Sequence, residues 1–233
     1  MSLDVIDMTI RFGGLTAVSH VSMQLAPGDI LGVIGPNGAG KTTLLNGASG
    51  FAKLESGTVL LDGFDMAGLA PDERAHRGLV RSFQATRVFD TLSVREHVFV
   101  VPDAHPDDPA TRRTLDMLRL TPYLDHRTKD LPYGTKRSLG LALALLMRPK
   151  YLLVDEPSSG LSAEESRQIA DVLFATASDR IGICVIDHDM RFIRRLAQRL
   201  LVLNSGEMVT SGPTADVLAM DTVRRVYLGG AAA

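Results

Sequence analysis

GPNGAGKT, residues 35–42, is the stretch that decides the fold. It fits the pattern G-x-x-x-x-G-K-[ST] and stands between an apolar run, ILGVI (30–34), and helical residues 41–49. A strand before and a helix after are the context a P-loop requires. Gly35, Gly38 and Gly40 let the backbone curl and turn its N–H groups inward, with Asn37 and Ala39 between them. The helix N-terminus at Thr42 and Thr43 adds a partial positive charge of about half a unit. Lys41 is placed to reach the β- and γ-phosphates, and the Thr42 hydroxyl to ligate Mg²⁺.

Outward from that loop the chain reads as an α/β protein. Residues 1–30 alternate apolar and polar and break at Pro27-Gly28-Asp29, which predicts antiparallel strands. ILGVI is apolar at every position, as in a strand buried on both faces. GTVLLD (57–62) and residues 79–83 read as strands, the latter leading to Gln84. Residues 86–150 carry few strand signals and several helix starts, with a capping box at Ser93 and Glu96. Strand character returns at YLLVD (151–155), IGICVI (181–186) and LLVLN (200–204), with helices between. Such alternation predicts a mostly parallel sheet. The expected organisation is a P-loop NTPase core from residues 1–85 and 150–233, with an antiparallel β subdomain at its start and a helical subdomain inserted at 86–149.

Composition narrows the function. The chain has 233 residues, 45% hydrophobic and 22% charged, an ordinary balance for one large domain or two lobes sharing a core. A formal net charge of −2 gives no broad basic field for nucleic acid. One cysteine, Cys184, excludes an internal disulfide, and its apolar setting suggests a buried thiol in a reducing compartment. The start lacks a basic segment followed by an apolar core, so no signal peptide is expected. The longest apolar run is far below the ~20 residues of a spanning helix.

A second chemical feature is YLLVDEP (151–157), which sets two carboxylates at the end of a buried strand. Consecutive strand residues point to opposite faces, so Asp155 and Glu156 are expected to do different jobs. Asp155 suits the role of holding Mg²⁺ through water, and Glu156 that of polarising the attacking water. LPYGTKR (131–137) reads as a turn followed by basic residues and an apolar helix, LGLALALLM.

In this order and at these distances, GPNGAGKTT, LPYGTKR, YLLVDEPSSGL and VIDHDM resemble the ATPase subunit of an ABC transporter, over essentially the whole chain. Within that superfamily TIRFGGLTAV, GLVRSFQATRVFDTLSV, IDHDM and VRRVYLGG look most like the subunits of high-affinity branched-chain amino acid importers. The resemblance implies ATP with Mg²⁺ as ligands. It implies a second ATPase subunit, membrane permeases and indirectly a solute-binding protein as partners, and a peripheral place on the cytoplasmic face of the membrane.

It also assigns roles. Phe12 matches the aromatic that stacks on adenine, with Val18 beside the ribose. Gln84 matches the glutamine that touches the metal or attacking water and senses the permease, and His188 the histidine that hydrogen-bonds the γ-phosphate. Asp189, beside it, is suited to cap the helix from Met190. Leu131 and Gly134 match the signature motif, which contacts ATP held by the other subunit; Pro132, Tyr133 and Thr135 depart from its usual letters. Gly134 and Thr135 supply the remaining backbone donors, because Pro132 lacks both a hydroxyl and an N–H. Ser162 stands where the superfamily usually has Asp, and with Glu165 it forms a capping box. Pro132 and Ser162 also raise a second reading, a weakly active regulatory half paired with a competent subunit. A third, a non-transport ATPase of translation or DNA repair, would need tandem cassettes or a long coiled-coil insertion.

Overall fold

The computed structural model describes residues 1–82 and 88–228. Two sheets form its frame. Strand β1 (Leu3–Phe12) pairs antiparallel with β2 (Leu15–Leu25) on one side and β4 (Ser56–Leu61) on the other, and β4 continues to the short β5 (Phe64–Asp65). This is the expected antiparallel subdomain.

The second sheet has the order β10-β9-β3-β8-β7-β6. Its strands are β3 (Ile30–Ile34), β6 (Leu79–Ser82), β7 (Tyr151–Asp155), β8 (Gly182–Ile186), β9 (Arg199–Asn204) and β10 (Glu207–Pro213). Every pairing is parallel except β9 with β10, which form an antiparallel edge hairpin. β3, β7 and β8 are buried at every position, as uniformly apolar runs require when both faces are covered.

Alternation along these strands divides two cores. Leu31 and Val33, Leu153, Cys184 and Ile186 point to a core shared with β1, β2, β4 and helix α1 (Lys41–Ala48). Ile30 and Ile34, Leu152 and Val154, Ile183 and Val185 point to the other, filled by later helices. Burial pushes the Cys184 thiol up to about 12. The residue on β6 that shares the first face with Leu79 is Arg81, a charge carried into the sheet.

After α2 (Pro71–His76) and β6, the segment that follows is helical: α3 (Val94–Val100), α4 (Pro109–Met117) and α5 (Tyr133–Leu146) lie between β6 and β7. Ser93 and Glu96 form the expected reciprocal cap on α3, and Asp108 with Pro109 starts α4. Leu139, Leu141 and Leu146 of α5 are buried, while Leu143 and Leu145 pack at the margin of the same core. α6 (Ala163–Ser178) and α7 (Met190–Leu196) cover the same face of the sheet, and α8 (Thr214–Ala219) with α9 (Asp221–Leu228) end the described chain.

Candidate nucleotide site

The loop after β3 delivers its predicted shape. Gly40 has φ 96°, and a Cβ there would sit 2.4 Å from the Ala17 oxygen, so only glycine both turns and fits. Lys41 Nζ donates to the loop's own carbonyls, Gly35 O at 2.8 Å and Pro36 O at 2.9 Å. Burial holds its pKa below the ordinary lysine value, with the charges of Glu156 and Asp155 opposing that shift. A cavity of about 620 Å³ opens over the loop, lined by Phe12, Thr16, Ala17, Asn37 through Thr43, Glu156, Ser205 and Gly206.

Phe12, at the end of β1, is 54% exposed and lines this cavity. Val18 does not: it is fully buried beneath the loop, and Thr16 and Ala17 take the lining positions expected of it. Val18 joins Val21, Met23 and Leu25 in the core of the first sheet, and the step of three from Val18 to Val21 spans a break in alternation at His20, φ 52°.

Asp155 closes β7 on the α1 face and is 2% exposed. Its Oδ1 lies 3.4 Å from the Thr42 hydroxyl, and its Oδ2 accepts from Arg81 Nη2 at 3.0 Å. Arg81 also donates to Asn46 Oδ1 and, at 3.4 Å, to Ser49 Oγ, both on or just after α1. One buried guanidinium thus ties the edge strand, the metal-type carboxylate and the loop helix together.

Glu156 departs from strand parity. Alternation predicted opposite faces for the two carboxylates, yet both lie near the loop, because Glu156 adopts φ 47° directly after the strand. Its N–H donates to Ile186 O at 2.8 Å. His188 Nδ1 stands 3.7 Å from Glu156 Oε2 and 3.7 Å from Asp187 Oδ1. Asp187, buried, accepts from Ser158 N at 3.0 Å and from Asp189 N at 2.9 Å, fixing the turns that carry Glu156 and His188. Asp189 in turn caps α7 through Arg191 N, as expected.

Gly134 and Thr135 stand apart, in a cavity of about 170 Å³ shared with Ser138, Glu165 and Gln168. Gly134 is the second residue of α5, where a Cβ would come within 2.0 Å of Glu165 Oε1. That carboxylate is held by the capping box at Ser162, whose N–H donates to Oε2 at 2.8 Å and, first among the causes, keeps Glu165 below the usual carboxylate range. Pro132 is the N-cap of α5 and provides no side-chain cap. Gln84 lies outside the described residues.

Arg81 and Asp187 were missed in the sequence, although a signal existed for each. Arg81 alternates with Val80 inside a short apolar strand, and Asp187 extends a wholly apolar one; a charge in such a place needs a buried partner.

The family model described as ABC transporter matches residues 18–159. The chain belongs to the ABC transporter ATP-binding family. It is 31% identical over 250 residues to the high-affinity branched-chain amino acid transport ATP-binding protein BraF of Pseudomonas aeruginosa, covering 98% of each chain. LivG of Escherichia coli K12, of the same description, is 32% identical at the same coverage. The lipopolysaccharide export system ATP-binding protein LptB of Acidithiobacillus ferridurans is 32% identical, covering 91% of this chain and 90% of its own. Among solved structures, the ADP conformation of an ATP-binding cassette from an ABC transporter superposes with a TM-score of 0.87 at 25% identity, covering 98% of this chain and 99% of that one. A dimeric cassette in a post-hydrolysis state with ADP and phosphate superposes with a TM-score of 0.77 at 22% identity, covering 91% of this chain and 98% of that one; this likeness concerns the fold. This ABC cassette is therefore an ATP-binding subunit and an ATPase, similar to ATP-binding proteins of branched-chain amino acid transport.

The donors present fit Mg²⁺. Thr42 and Asp155 offer hard oxygens at the phosphate loop. Among the described residues no three His, Cys, Asp or Glu side chains gather into a metal cage. Mg²⁺ suits that arrangement, since it takes one or two protein ligands and completes its shell with phosphates and water.

Proposed function

We propose that this cassette is the ATP-hydrolysing motor of an importer for branched-chain amino acids or related small polar solutes. The carrying observation is one cluster: Lys41, Thr42 and Glu156 line the loop cavity, Asp155 stands 3.4 Å from the Thr42 hydroxyl, and His188 stands 3.7 Å from Glu156. Near-complete coverage of BraF and LivG supports the choice of solute class. LptB shares the cassette at similar identity, so direction and solute are assigned at the level of the assembled transporter.

In this reading the Lys41 ammonium leaves the carbonyls of Gly35 and Pro36 for the phosphates. Thr42 and Asp155 would hold Mg²⁺, which would supply neutralisation of phosphate charge. Glu156 accepts the proton of the attacking water, and His188 orients the γ-phosphate. Phe12 offers a ring face to the purine. Gly134 and Thr135 serve the nucleotide of a second ATPase subunit, and Gln84 links metal and permease. ATP drives the cycle through its greater affinity for the closed pair.

The permease is assigned to an apolar cleft of about 350 Å³ between α3, α5 and β6, where Phe89, Val100 and Leu143 line the opening. Among the described residues no helix is long and apolar enough to cross a membrane. Attachment to the cytoplasmic face then runs through that cleft. Glu156→Gln tests the core of the reading: turnover falls by about 10²–10⁴ while ATP binding persists and ATP-trapped dimers accumulate. Undiminished steady-state hydrolysis would remove Glu156 from the base role. Pro132, uncapped at the start of α5, favours the second reading of a weakly active half. Equal ATPase rates in the homodimer and in a mixed assembly would argue against it.

A further inference from the structure

Two residues in the first turns of α5 face the chain's own catalytic turn. Arg137 is buried, and its Nη2 donates to Glu156 O at 2.9 Å and to Ser159 O at 3.4 Å. The Tyr133 hydroxyl donates to the same Ser159 oxygen at 3.4 Å. The guanidinium lies 5.7 Å from the centroid of the Tyr133 ring, and a Cβ at Gly160 would come within 2.9 Å of that ring. The opposite side of the turn is held by the end of β8, through Ile186 O and the Asp187 carboxylate.

Glu156 depends on such a grip. A left-handed backbone costs a residue with a side chain about 1–2 kcal/mol, and it persists only where the surroundings over-determine it. If Glu156 relaxed to an extended backbone, strand parity would send its carboxylate to the face away from the loop. One planar nitrogen, Nη2, reaches both carbonyls, and a guanidinium keeps its charge when buried, whereas a buried ammonium readily loses its own.

We propose that Arg137 is a positioning residue for Glu156, holding the general base in its left-handed turn. Helix α5 then moves as one unit with that base. The same helix carries Gly134, buried against Glu165 one turn before Arg137, and the partly exposed Thr135, so displacement of its N-terminus by a second subunit's nucleotide reaches the base of this subunit through one side chain. The inference rests on Glu156 being the base.

The test compares Arg137→Lys, Arg137→Gln, Glu156→Gln and the Arg137→Gln/Glu156→Gln double variant. Steady-state ATPase is measured against ATP concentration, and binding of a fluorescent ATP analogue without Mg²⁺ reports an intact loop. Arg137→Gln is expected to lower kcat by about tenfold to a hundredfold, the scale of a misplaced catalytic group. KM and analogue affinity stay unchanged. Arg137→Lys recovers part of the loss, and the double variant is no slower than Glu156→Gln alone, because the two residues act as a unit. Wild-type kcat in Arg137→Gln, a raised KM at unchanged kcat, or additive losses in the double variant would each overturn the proposal. Retained turnover in Glu156→Gln overturns the base assignment instead, so the two failures are distinguishable.

Discussion

Pro132 shows how a single residue sets both a helix start and a ligand surface. It occupies the N-cap of α5, where Ser, Thr, Asp or Asn would accept from a backbone N–H of the first turn. Pro132→Ser restores a hydroxyl and an N–H at once. The expected result is a lower KM for ATP in the assembled transporter and a rise in stability of about 1 kcal/mol. A higher midpoint with an unchanged or raised KM would mean that the hydroxyl caps its own helix and adds nothing to the grip on the partner's nucleotide. Residues of this loop chemistry were legible one by one: Lys41, Thr42 and Asp155 lie where their pattern puts them. Glu156 was legible as a carboxylate but not in direction, because parity fails when a non-glycine residue turns left-handed. The partners of Arg81 and Arg137 were illegible for another reason: they are a carboxylate and two carbonyls that are distant in sequence and meet their donors only on folding.

Among the elements, the strands apolar on both faces were read almost to the residue, since burial on both sides leaves no polar position to blur their limits. The edge hairpin escaped. β10 is mostly exposed and mixes polar with apolar residues, so periodicity is weak. Its turn carried the available signal: Ser205 and Gly206 both have positive φ, the geometry of a two-residue hairpin turn with the Gly in second place. Arg74 on α2 shows a similar limit. It reaches back to the carbonyls of Gly47 and Ala48 at the end of α1 and of Met66, closing a helix C-terminus that has no basic residue of its own in the last turn. At this scale α3 carries the sharpest expectation. Val100 is 60% exposed at the mouth of the apolar cleft, so Val100→Glu adds a charge there without opening a cavity in the core. Co-purification with the permease is expected to be lost, while ATPase of the isolated subunit stays at the wild-type level. Retained co-purification would move the docking site elsewhere.

In the whole molecule, the two sheets close over one of the two cores, and polar contacts tie one sheet to the other. One is Asp62, after β4, which accepts from the Tyr151 hydroxyl at 2.9 Å and from Lys150 Nζ at 3.1 Å at the start of β7. Burial pushes the Asp62 carboxyl up, but these two donors outweigh it and hold it below its usual value. Its stabilisation is therefore complete above the unfolded carboxylate value of about 3.9 and fades as pH falls through the lower folded one. Asp62→Asn isolates the charge, because Asn also tolerates the left-handed backbone found there, φ 52°. Urea midpoints are expected to show a loss of about 1–2 kcal/mol at pH 7, narrowing as the medium is acidified below about pH 4. A difference independent of pH would assign the effect to shape. Cys184 has a consequence of a different kind. The sole thiol lies inside the central sheet and stays protonated far above neutrality. Maleimide and methanethiosulfonate reagents attack the thiolate, so the native chain is silent toward them. One cysteine placed at an exposed site such as Glu207 becomes a unique handle for a spin label or fluorophore. The separation between two such labels in a paired assembly then tests the proposed opening and closing without removing any native side chain from the interior.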